Sequence, residues 1–166
     1  MRSILFPVFL SGIAVVSCQA DLGINCRGSS YCRAWFLGNS FYTEDVISEF
    51  WNALTTGKSA NVPGGPISDA MVYDDPQGDL GHIACRNIRI GSEGICLFMQ
   101  NAGKTNGSVI KARVADLVSH GCRLCGSVPL SGNNDPGDSG ILTVNYVRSG
   151  ACHGICGVIP LPIDAA

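Results

Sequence analysis

Cysteine content constrains the fold of this chain more than any other feature. The sequence has nine cysteines among 166 residues. Cys18 lies in an N-terminal segment typical of a secretory signal, in which Arg2 gives the charged start and residues 4–16 are mainly apolar. Cys18 and Ala20 place small residues at the positions that a signal peptidase reads. We predict cleavage after Ala20, which leaves eight cysteines in residues 21–166.

An even set of eight cysteines in an exported chain is typical of four disulfides formed in an oxidising compartment. Sequence alone permits on the order of 100 ways to pair them, so the pairing stays open at this point. Residues 21–166 suffice for one domain with its own apolar core, and the disulfides are expected to reinforce that core. We therefore expect a signal peptide at residues 1–20 and a single secreted domain at residues 21–166.

The charge balance argues against two classes of partner. Cleavage removes one of the 11 basic side chains of the full chain, which leaves 10 against 13 acidic ones and a formal charge of −3. Nucleic acids and anionic membranes attract clustered positive charge, which a mildly acidic composition does not favour. No segment after the signal is long and apolar enough to span a bilayer. We expect no nucleic-acid partner, no stable membrane insertion and no cofactor.

Two segments have the periodicity of amphipathic helices. The first has Thr43 as its predicted N-cap and Gly57 as its predicted end, and its apolar stripe consists of Val46, Ile47, Phe50, Trp51 and Leu54. The second is predicted from Ser108, as N-cap, to Gly121, a residue that readily adopts the left-handed conformation that ends helices.

Short apolar runs bounded by glycine and proline predict strands at residues 83–90, 95–100, 141–147 and 155–159. Residues 91–94 are the predicted hairpin turn, and residues 22–32 read as a short strand and a turn. Residues 55–81 are rich in glycine and proline and predict a long loop, with room for a short strand at 70–73. This order of elements predicts an α+β fold, a two-layer sandwich with two helices on one face of a mainly antiparallel sheet.

The sequence Gly137-Asp-Ser-Gly140 resembles the motif around the nucleophile of serine proteases. A small secreted hydrolase that uses Ser139 is therefore an alternative function, with His82 as the histidine nearest to that family's pattern. In that family the histidine stands directly before its cysteine, whereas here two residues separate His82 from Cys85. A turn that enters a strand explains the serine equally well, and we favour no catalytic residue.

The spacing Cys122-Arg-Leu-Cys125 is that of a thioredoxin-type redox pair. Here the pair follows the end of a predicted helix, where the dipole disfavours a thiolate, so redox catalysis is not favoured. A zinc site is a second alternative, with candidate ligands Cys122, Cys125, Cys152, Cys156, His120 and His153. In an oxidising compartment such thiols form disulfides first, and we expect no metal.

The sequence Asn106-Gly-Ser108 is an N-glycosylation sequon. It lies in a polar connection that we expect at the surface. Asn106 is therefore a candidate glycan acceptor in the exported protein.

Three separated blocks resemble the killer toxin family of smut fungi, killer protein four, and its cellular relatives in fungi. The blocks are Leu22-Gly-Ile-Asn-Cys-Arg-Gly-Ser-Ser-Tyr-Cys32, His120-Gly-Cys-Arg-Leu-Cys-Gly-Ser-Val-Pro-Leu130 and Leu142-Thr-Val-Asn-Tyr-Val147. Between them, residues 97–100 resemble the family's central strand and residues 109–120 its second helix, while residues 33–82 are largely unmatched. The resemblance implies an α/β sandwich of split βαβ units held by disulfides.

The resemblance also implies two disulfides, Cys26–Cys122 and Cys32–Cys125. It does not settle the pairing of the remaining four cysteines, which are Cys85, Cys96, Cys152 and Cys156. A turn at residues 91–94 would offset the two hairpin cysteines along their strands. We therefore expect each of them to bond to one of the two C-terminal cysteines.

Known members of the family inhibit the growth of competing fungi, and the resemblance implies a non-enzymatic block of calcium uptake through channels. The family's virally encoded toxin is basic, whereas this chain is mildly acidic. We expect a monomeric, secreted toxin-like effector that binds a cell-surface protein of a competing fungus or a plant host, with a calcium channel as one candidate. A secreted binding module without toxicity is a further alternative.

Overall fold

A computed structural model describes residues 23–32, 45–74, 81–88, 92–132 and 134–156. The predicted signal peptide and Thr43 lie outside these ranges. In chain order the elements are a 3-10 turn at Ser30–Cys32, α1 at Val46–Thr56, β1 at Val72–Tyr73, β2 at His82–Asn87, β3 at Gly94–Gln100, β4 at Thr105–Asn106, α2 at Gly107–Ser119, β5 at Gly126–Pro129, a second 3-10 turn at Gly137–Ser139, β6 at Ile141–Val147 and β7 at Gly154–Ile155. Neither helix has the length and apolar character needed to cross a bilayer, within the ranges just given.

Five strands form one antiparallel sheet in the order β5-β6-β3-β2-β7, and β1 pairs with β4 in a small second sheet. The longest pairing joins β3 to β6 over seven positions, from Gly94↔Val147 to Gln100↔Ile141. Because this pair lies at the centre of the sheet, every other strand is positioned relative to it.

Helix α1 begins two residues later than predicted. Its N-cap is Asp45, whose carboxylate accepts the backbone N–H of Ser48 at 3.0 Å, so the predicted cap at Thr43 is wrong. An acidic side chain at this position satisfies an unpaired N–H of the first turn and also favours the helix dipole. The predicted end at Gly57 is confirmed, with φ at 69°.

Helix α2 begins at Gly107 with Asn106 as its N-cap, so the predicted cap at Ser108 is wrong. Gly107 is buried, and a Cβ there would overlap the carbonyl oxygen of Ser68. Only glycine therefore allows the helix to start this close to the loop that precedes β1. Asn106 offers its side chain to no N–H of the first turn.

The core lies between the two helices and one face of the five-stranded sheet. A single cluster of buried side chains includes Ile47, Phe50, Leu54, Ile110, Val114, Leu117, Ala84, Leu97, Leu142 and Val144. Cys85 and Cys96, the neighbours of Ala84 and Leu97 in the chain, belong to a second and smaller cluster. Because side chains alternate between faces along a strand, the second cluster lies on the opposite face of the sheet. The predicted α+β sandwich with both helices on one face is confirmed.

The hairpin between β2 and β3 turns earlier than predicted. Gly94 is the first residue of β3 and pairs with Asn87, while the backbone N–H of Ile88 donates to the carbonyl of Glu93 at 3.2 Å. A Cβ at Gly94 would lie 2.7 Å from the carbonyl oxygen of Arg86, so this glycine permits a close approach within the sheet. Glu93 and Gly94 therefore belong to the paired part of the hairpin and not to its turn.

Three further strands test the predicted elements. The short strand predicted within residues 70–73 is present as β1, and that predicted at residues 141–147 is present as β6. The strand predicted at 155–159 is present in part as β7, and residues 157–159 lie outside the described part of the chain. Strands β4 and β5 were not predicted, because both are short and contain polar, glycine or proline residues.

Candidate binding surface

Two long-range disulfides join the N-terminal segment to the chain that follows α2. Cys26 is bonded to Cys122 and Cys32 to Cys125, with Cα–Cα distances of 5.0 and 6.0 Å. These are the two pairs that the resemblance implies. They connect residues 96 and 93 positions apart, so they fix where the N-terminal segment lies on the sandwich.

The abrupt end of α2 places Cys122 for the first of these bridges. The N–H of Cys122 donates to the carbonyl of Leu117, and the N–H of Gly121 donates to that of Val118, each at 3.0 Å. With φ of Gly121 at 85°, this is a Schellman motif, which reverses the chain directly after a helix. The prediction that Gly121 ends the helix is confirmed.

The N-terminal segment also pairs with β5. Asn25 and Ser127 exchange two backbone hydrogen bonds, at 2.9 and 2.8 Å. Further along, the side-chain oxygen of Asn145 in β6 accepts the N–H of Ser29 at 2.9 Å. The segment that carries Cys26 and Cys32 is thus held by backbone contacts as well as by disulfides.

A shallow cavity of about 270 Å³ lies between the two long-range bridges, lined by Cys26, Gly28, Cys32, Gly121, Arg123, Leu124 and Cys125. Gly28 has no room for a side chain, because a Cβ there would lie 2.5 Å from the Cys32 sulfur and 2.6 Å from the Cys125 Cβ. The walls of the cavity are therefore held rigidly by crosslinks, and its lining includes one cationic side chain, Arg123.

One exposed arginine, Arg123, lines this cavity, and Arg27 lies in the chain between two of the lining residues. Arg27 and Arg123 each follow one cysteine of the first bridge, and both are exposed. Arg148 directly follows β6, and its Nη2 donates to the hydroxyl of Tyr31 at 3.4 Å. We call the surface formed by Arg27, Tyr31, Arg123, Tyr146 and Arg148 the basic edge.

Two stacked tyrosines form part of the basic edge. The rings of Tyr31 and Tyr146 have centroids 4.6 Å apart and planes inclined by 21°. Partial desolvation raises the pKa of Tyr146, and its hydrogen bond to Glu93 raises that pKa further. The hydrogen bond to Tyr31 raises the pKa of Arg148. The stack thus places the neutral phenol of Tyr146 beside a guanidinium that stays charged.

Several other charges of the described chain are paired on or near the helices. The ion pairs are Arg86 with Glu49, Arg113 with Asp116 and Lys111 with Asp69. The first is largely buried and ties β2 to α1, with Arg86 Nη1 3.0 Å from Glu49 Oε1. Three arginines gather at the basic edge, where Glu93 forms a hydrogen bond with Tyr146 and is a nearby opposite charge for Arg148. The basic edge therefore has more basic than acidic residues, although the chain as a whole is mildly acidic.

The other four cysteines pair locally, which corrects the expected cross-links between the hairpin and the C-terminal pair. Cys85 is bonded to Cys96, with Cα atoms 4.1 Å apart, and Cys152 to Cys156. Because the hairpin turns before Gly94, Cys85 and Cys96 lie directly opposite each other in the antiparallel register. The offset on which the expectation depended is absent from this hairpin.

The residues of the hydrolase alternative have other partners in the structure. The hydroxyl of Ser139 donates to the carbonyl of Pro136 at 2.6 Å, within its own 3-10 turn. The Nδ1 atom of His82 lies 3.3 Å from the carbonyl oxygen of Gly150, and its ring packs edge-on against Phe98. The pairing of serine with histidine that acyl transfer requires is not formed by these contacts.

The structure does not bring the predicted zinc ligands together as thiols. Cys122 and Cys125 are bonded to the N-terminal segment, whereas Cys152 and Cys156 are bonded to each other. The donor atoms of His82, Cys85 and Cys96 do lie within 4.8 Å of one another, as do those of Cys85, Cys152 and Cys156. All of these sulfurs are in disulfides, so none is a thiolate ligand in this form of the protein.

The candidate glycan acceptor Asn106 is exposed at the start of α2. Its side chain makes no cap hydrogen bond, and its backbone is extended, with φ at −78° and ψ at 151°. The amide nitrogen is thus sterically open to modification. Occupancy of this sequon stays a prediction.

Comparison with known proteins places the chain in a family. The model of the Kp4 family matches residues 64–148, which include β2, β3, α2, β5 and β6. The KP4 killer toxin of Ustilago maydis P4 virus is 31% identical over 147 residues, which cover 85% of this chain and 92% of the toxin. The chain belongs to the Kp4 family. The predicted family resemblance is confirmed, and the protein is toxin-like.

The family resemblance implied the two long-range bridges of this Kp4-family protein, but sequence reasoning missed the aromatic part of the basic edge. Tyr146 alternates with its neighbours in β6 as any half-buried strand residue does, and Tyr31 stands between Ser30 and the disulfide cysteine Cys32 with no pattern of its own. Their stacking depends on the bridge that anchors Cys32 beside β6. No spacing in the sequence indicates that contact.

Proposed function

We propose that this protein is a secreted toxin that inhibits the growth of competing fungal cells by binding a protein at their surface, without catalysing a reaction. The observation that carries the proposal is the near-complete alignment with a killer toxin. The four disulfides support secretion, because such bonds persist in oxidising compartments. A signal peptide at residues 1–20 would direct the chain there.

We propose the basic edge as the surface that contacts the target. Arginine and tyrosine, together with tryptophan, are enriched among the energetically dominant positions of protein interfaces. Arg27 and Arg123 are exposed beside a cavity that the disulfides hold rigid, and Arg148 lies on the adjacent tyrosine stack. A preorganised surface loses little side-chain entropy on binding, which favours affinity.

The chemistry of the basic edge fits a partner with acidic groups at its outer surface. Cation channels present rings of aspartate or glutamate at their pores, and a calcium channel is the target we propose. Electrostatic attraction of this kind would speed encounter and would weaken as the salt concentration rises. A plant-cell channel with the same acidic mouth is the alternative host target.

The test measures growth inhibition and calcium uptake in fungal cells exposed to the purified mature protein. We expect the combined variant Arg27→Gln/Arg123→Gln/Arg148→Gln to need at least about tenfold more protein for the same effect, which corresponds to about 1.4 kcal/mol of binding free energy. The matched control Lys58→Gln/Lys104→Gln removes exposed positive charge elsewhere and should change potency by less than about twofold.

Two further measurements separate this proposal from the hydrolase alternative. Ser139→Ala should keep full potency, and reduction of the disulfides should abolish it. Loss of potency on Ser139→Ala would contradict a non-enzymatic toxin.

Equal losses in the arginine variant and its lysine control would contradict the basic edge as the contact surface. Inhibition confined to plant cells would identify the host target instead, and no effect on fungal growth, plant growth or calcium uptake would refute the toxin.

A further inference from the structure

Two disulfides are in van der Waals contact on the sheet face that is opposite the helices. The Cys85–Cys96 bond joins β2 to β3, and the Cys152–Cys156 bond closes the short turn that contains β7. The sulfur of Cys156 lies 3.9 Å from the sulfur of Cys85. A thiolate at Cys156 would therefore begin within reach of the neighbouring disulfide.

The two bonds differ in their exposure to solvent. Cys85 and Cys96 are completely buried, and Cys156 is 8% exposed. Cys152 is half-buried and is followed by the exposed His153. Because thiol–disulfide exchange requires access to the sulfur under attack, an external reductant reaches the Cys152–Cys156 bond first.

Backbone contacts hold Cys156 in place independently of its own disulfide. Its N–H donates to the carbonyl of Ile83 at 3.0 Å, and the N–H of Ile155 donates to the carbonyl of Pro63 at 2.7 Å. Gly154 also pairs with Cys85 in the register of β7 on β2. Opening the Cys152–Cys156 bond therefore leaves the Cys156 sulfur beside Cys85.

The surroundings assign different roles to the two cysteines that reduction releases. The sulfur of Cys152 lies 3.3 Å from the carbonyl oxygen of Gly154, an acceptor that favours the protonated thiol. Cys156 faces a disulfide instead. Cys156 is thus the cysteine poised to act as the nucleophile.

We propose that these four cysteines form a thiol–disulfide exchange site that responds to small dithiols. A dithiol reduces the Cys152–Cys156 bond to two thiols and is itself oxidised to a disulfide. Cys156 then loses its proton to water, and its thiolate attacks the Cys85 sulfur. The Cys85–Cys156 bond forms, the Cys85–Cys96 bond breaks, and Cys96 leaves as a thiolate that takes up a proton.

Exchange changes what the crosslink connects. The Cys152–Cys156 bond spans four positions and the Cys85–Cys96 bond eleven, whereas a Cys85–Cys156 bond would span 71. The C-terminal strand would become covalently tied to β2, and the β2–β3 hairpin would be released from its crosslink. The site would thus transfer a covalent restraint from one sheet contact to another.

Paired variants test the geometry without a reductant. Cys96→Ser/Cys152→Ser keeps Cys85 and Cys156, and we expect these to be joined in most molecules of the oxidised, folded protein. Cys85→Ser/Cys152→Ser keeps Cys96 and Cys156 as the matched control, and we expect both to be alkylated as free thiols. Peptide mapping by mass spectrometry reads out each bond. Free Cys85 and Cys156 thiols in the first variant would refute the proposal.

The unmodified mature protein gives a second test that does not depend on the folding of variants. It is treated briefly with dithiothreitol, quenched with acid, alkylated and mapped. We expect linked Cys85–Cys156 peptides with Cys96 and Cys152 alkylated, whether or not the bridge of the exposed Cys26 is reduced as well. Alkylated Cys152 and Cys156 together with an intact Cys85–Cys96 bond would overturn the exchange step.

Discussion

The bridges at the basic edge and those on the outer face of the sheet differ in how far they reach along the chain. The first two connect residues 96 and 93 positions apart, and the second two connect residues 11 and 4 positions apart. A long link restrains most of the unfolded chain, whereas a short link restrains one hairpin or one turn. The first set therefore determines where a segment lies, and the second refines contacts that backbone pairing already makes.

The largest expected effect on stability comes from removing a long-range bridge, and it is compared with the effect of removing a short one in a second variant. In the chain-entropy model, Cys26→Ser/Cys122→Ser lowers the free energy of unfolding by about 4 to 5 kcal/mol, because the lost link closes most of the chain. The variant Cys152→Ser/Cys156→Ser lowers it by about 2 kcal/mol, because its loop is short. Guanidinium unfolding measures both, and equal losses would contradict the difference between the two sets.

A smaller effect is expected where the long-range bridges pack against the backbone. Gly28→Ala should lower the free energy of unfolding by about 1 to 3 kcal/mol, because its Cβ would crowd the Cys32–Cys125 bond. Gly103→Ala is the matched control, since a Cβ there meets nothing within 4 Å, and it should change stability by less than about 0.5 kcal/mol. A tolerated Gly28→Ala would show that the bridge can shift.

The smallest effect on stability is expected at Tyr73, a buried core residue that is not part of any bridge. Its buried hydroxyl has no hydrogen-bond partner, so Tyr73→Phe should raise the free energy of unfolding by about 1 kcal/mol. A loss of similar size would show that the hydroxyl is satisfied by water.

The buried hydroxyl of Tyr73 should also make the free energy of unfolding depend on pH. Burial raises the pKa of Tyr73 from 10.0 to about 12. The folded state therefore keeps a proton that the unfolded state releases, and stability falls as the pH rises from 10 towards 12. Between pH 9 and pH 10.5 the native protein should lose about 1 kcal/mol through this group, and Tyr73→Phe should remove that loss. Unfolding curves that decline equally in both proteins would assign the effect to other groups.

The sequence predicted the elements whose apolar pattern is long and missed those that depend on a neighbour. The stripe from Val46 to Leu54 indicated α1, although Asp45 rather than Thr43 provides the cap. Both residues are good caps, and only the reach of the Asp45 carboxylate to Ser48 decides between them. Strand β5 could not be predicted, because Gly126–Pro129 has a loop-like sequence and is extended only through its pairing with β6.

The pairing of the cysteines could likewise be predicted only in part. The family resemblance implied the two long-range pairs, because the blocks that carry Cys26, Cys32, Cys122 and Cys125 match as units. The pairing of Cys85 with Cys96 depends on the register of one hairpin, and Gly94 looks like a turn residue in the sequence. The structure uses that glycine inside β3 for a close backbone approach. A difference of a few residues in the turn decides which sulfurs meet.

Both edges of the five-stranded sheet are covered by segments that are not strands of that sheet. The pairing of Asn25 with Ser127 occupies hydrogen-bonding groups of β5, and the carbonyl of Pro63 occupies the N–H of Ile155 in β7. An uncovered edge recruits strands from other molecules and leads to fibrous aggregates. The Cys26–Cys122 bond thus also affects solubility, since it restrains the segment that covers β5, and its loss would expose this edge more often and favour self-assembly in a concentrated solution.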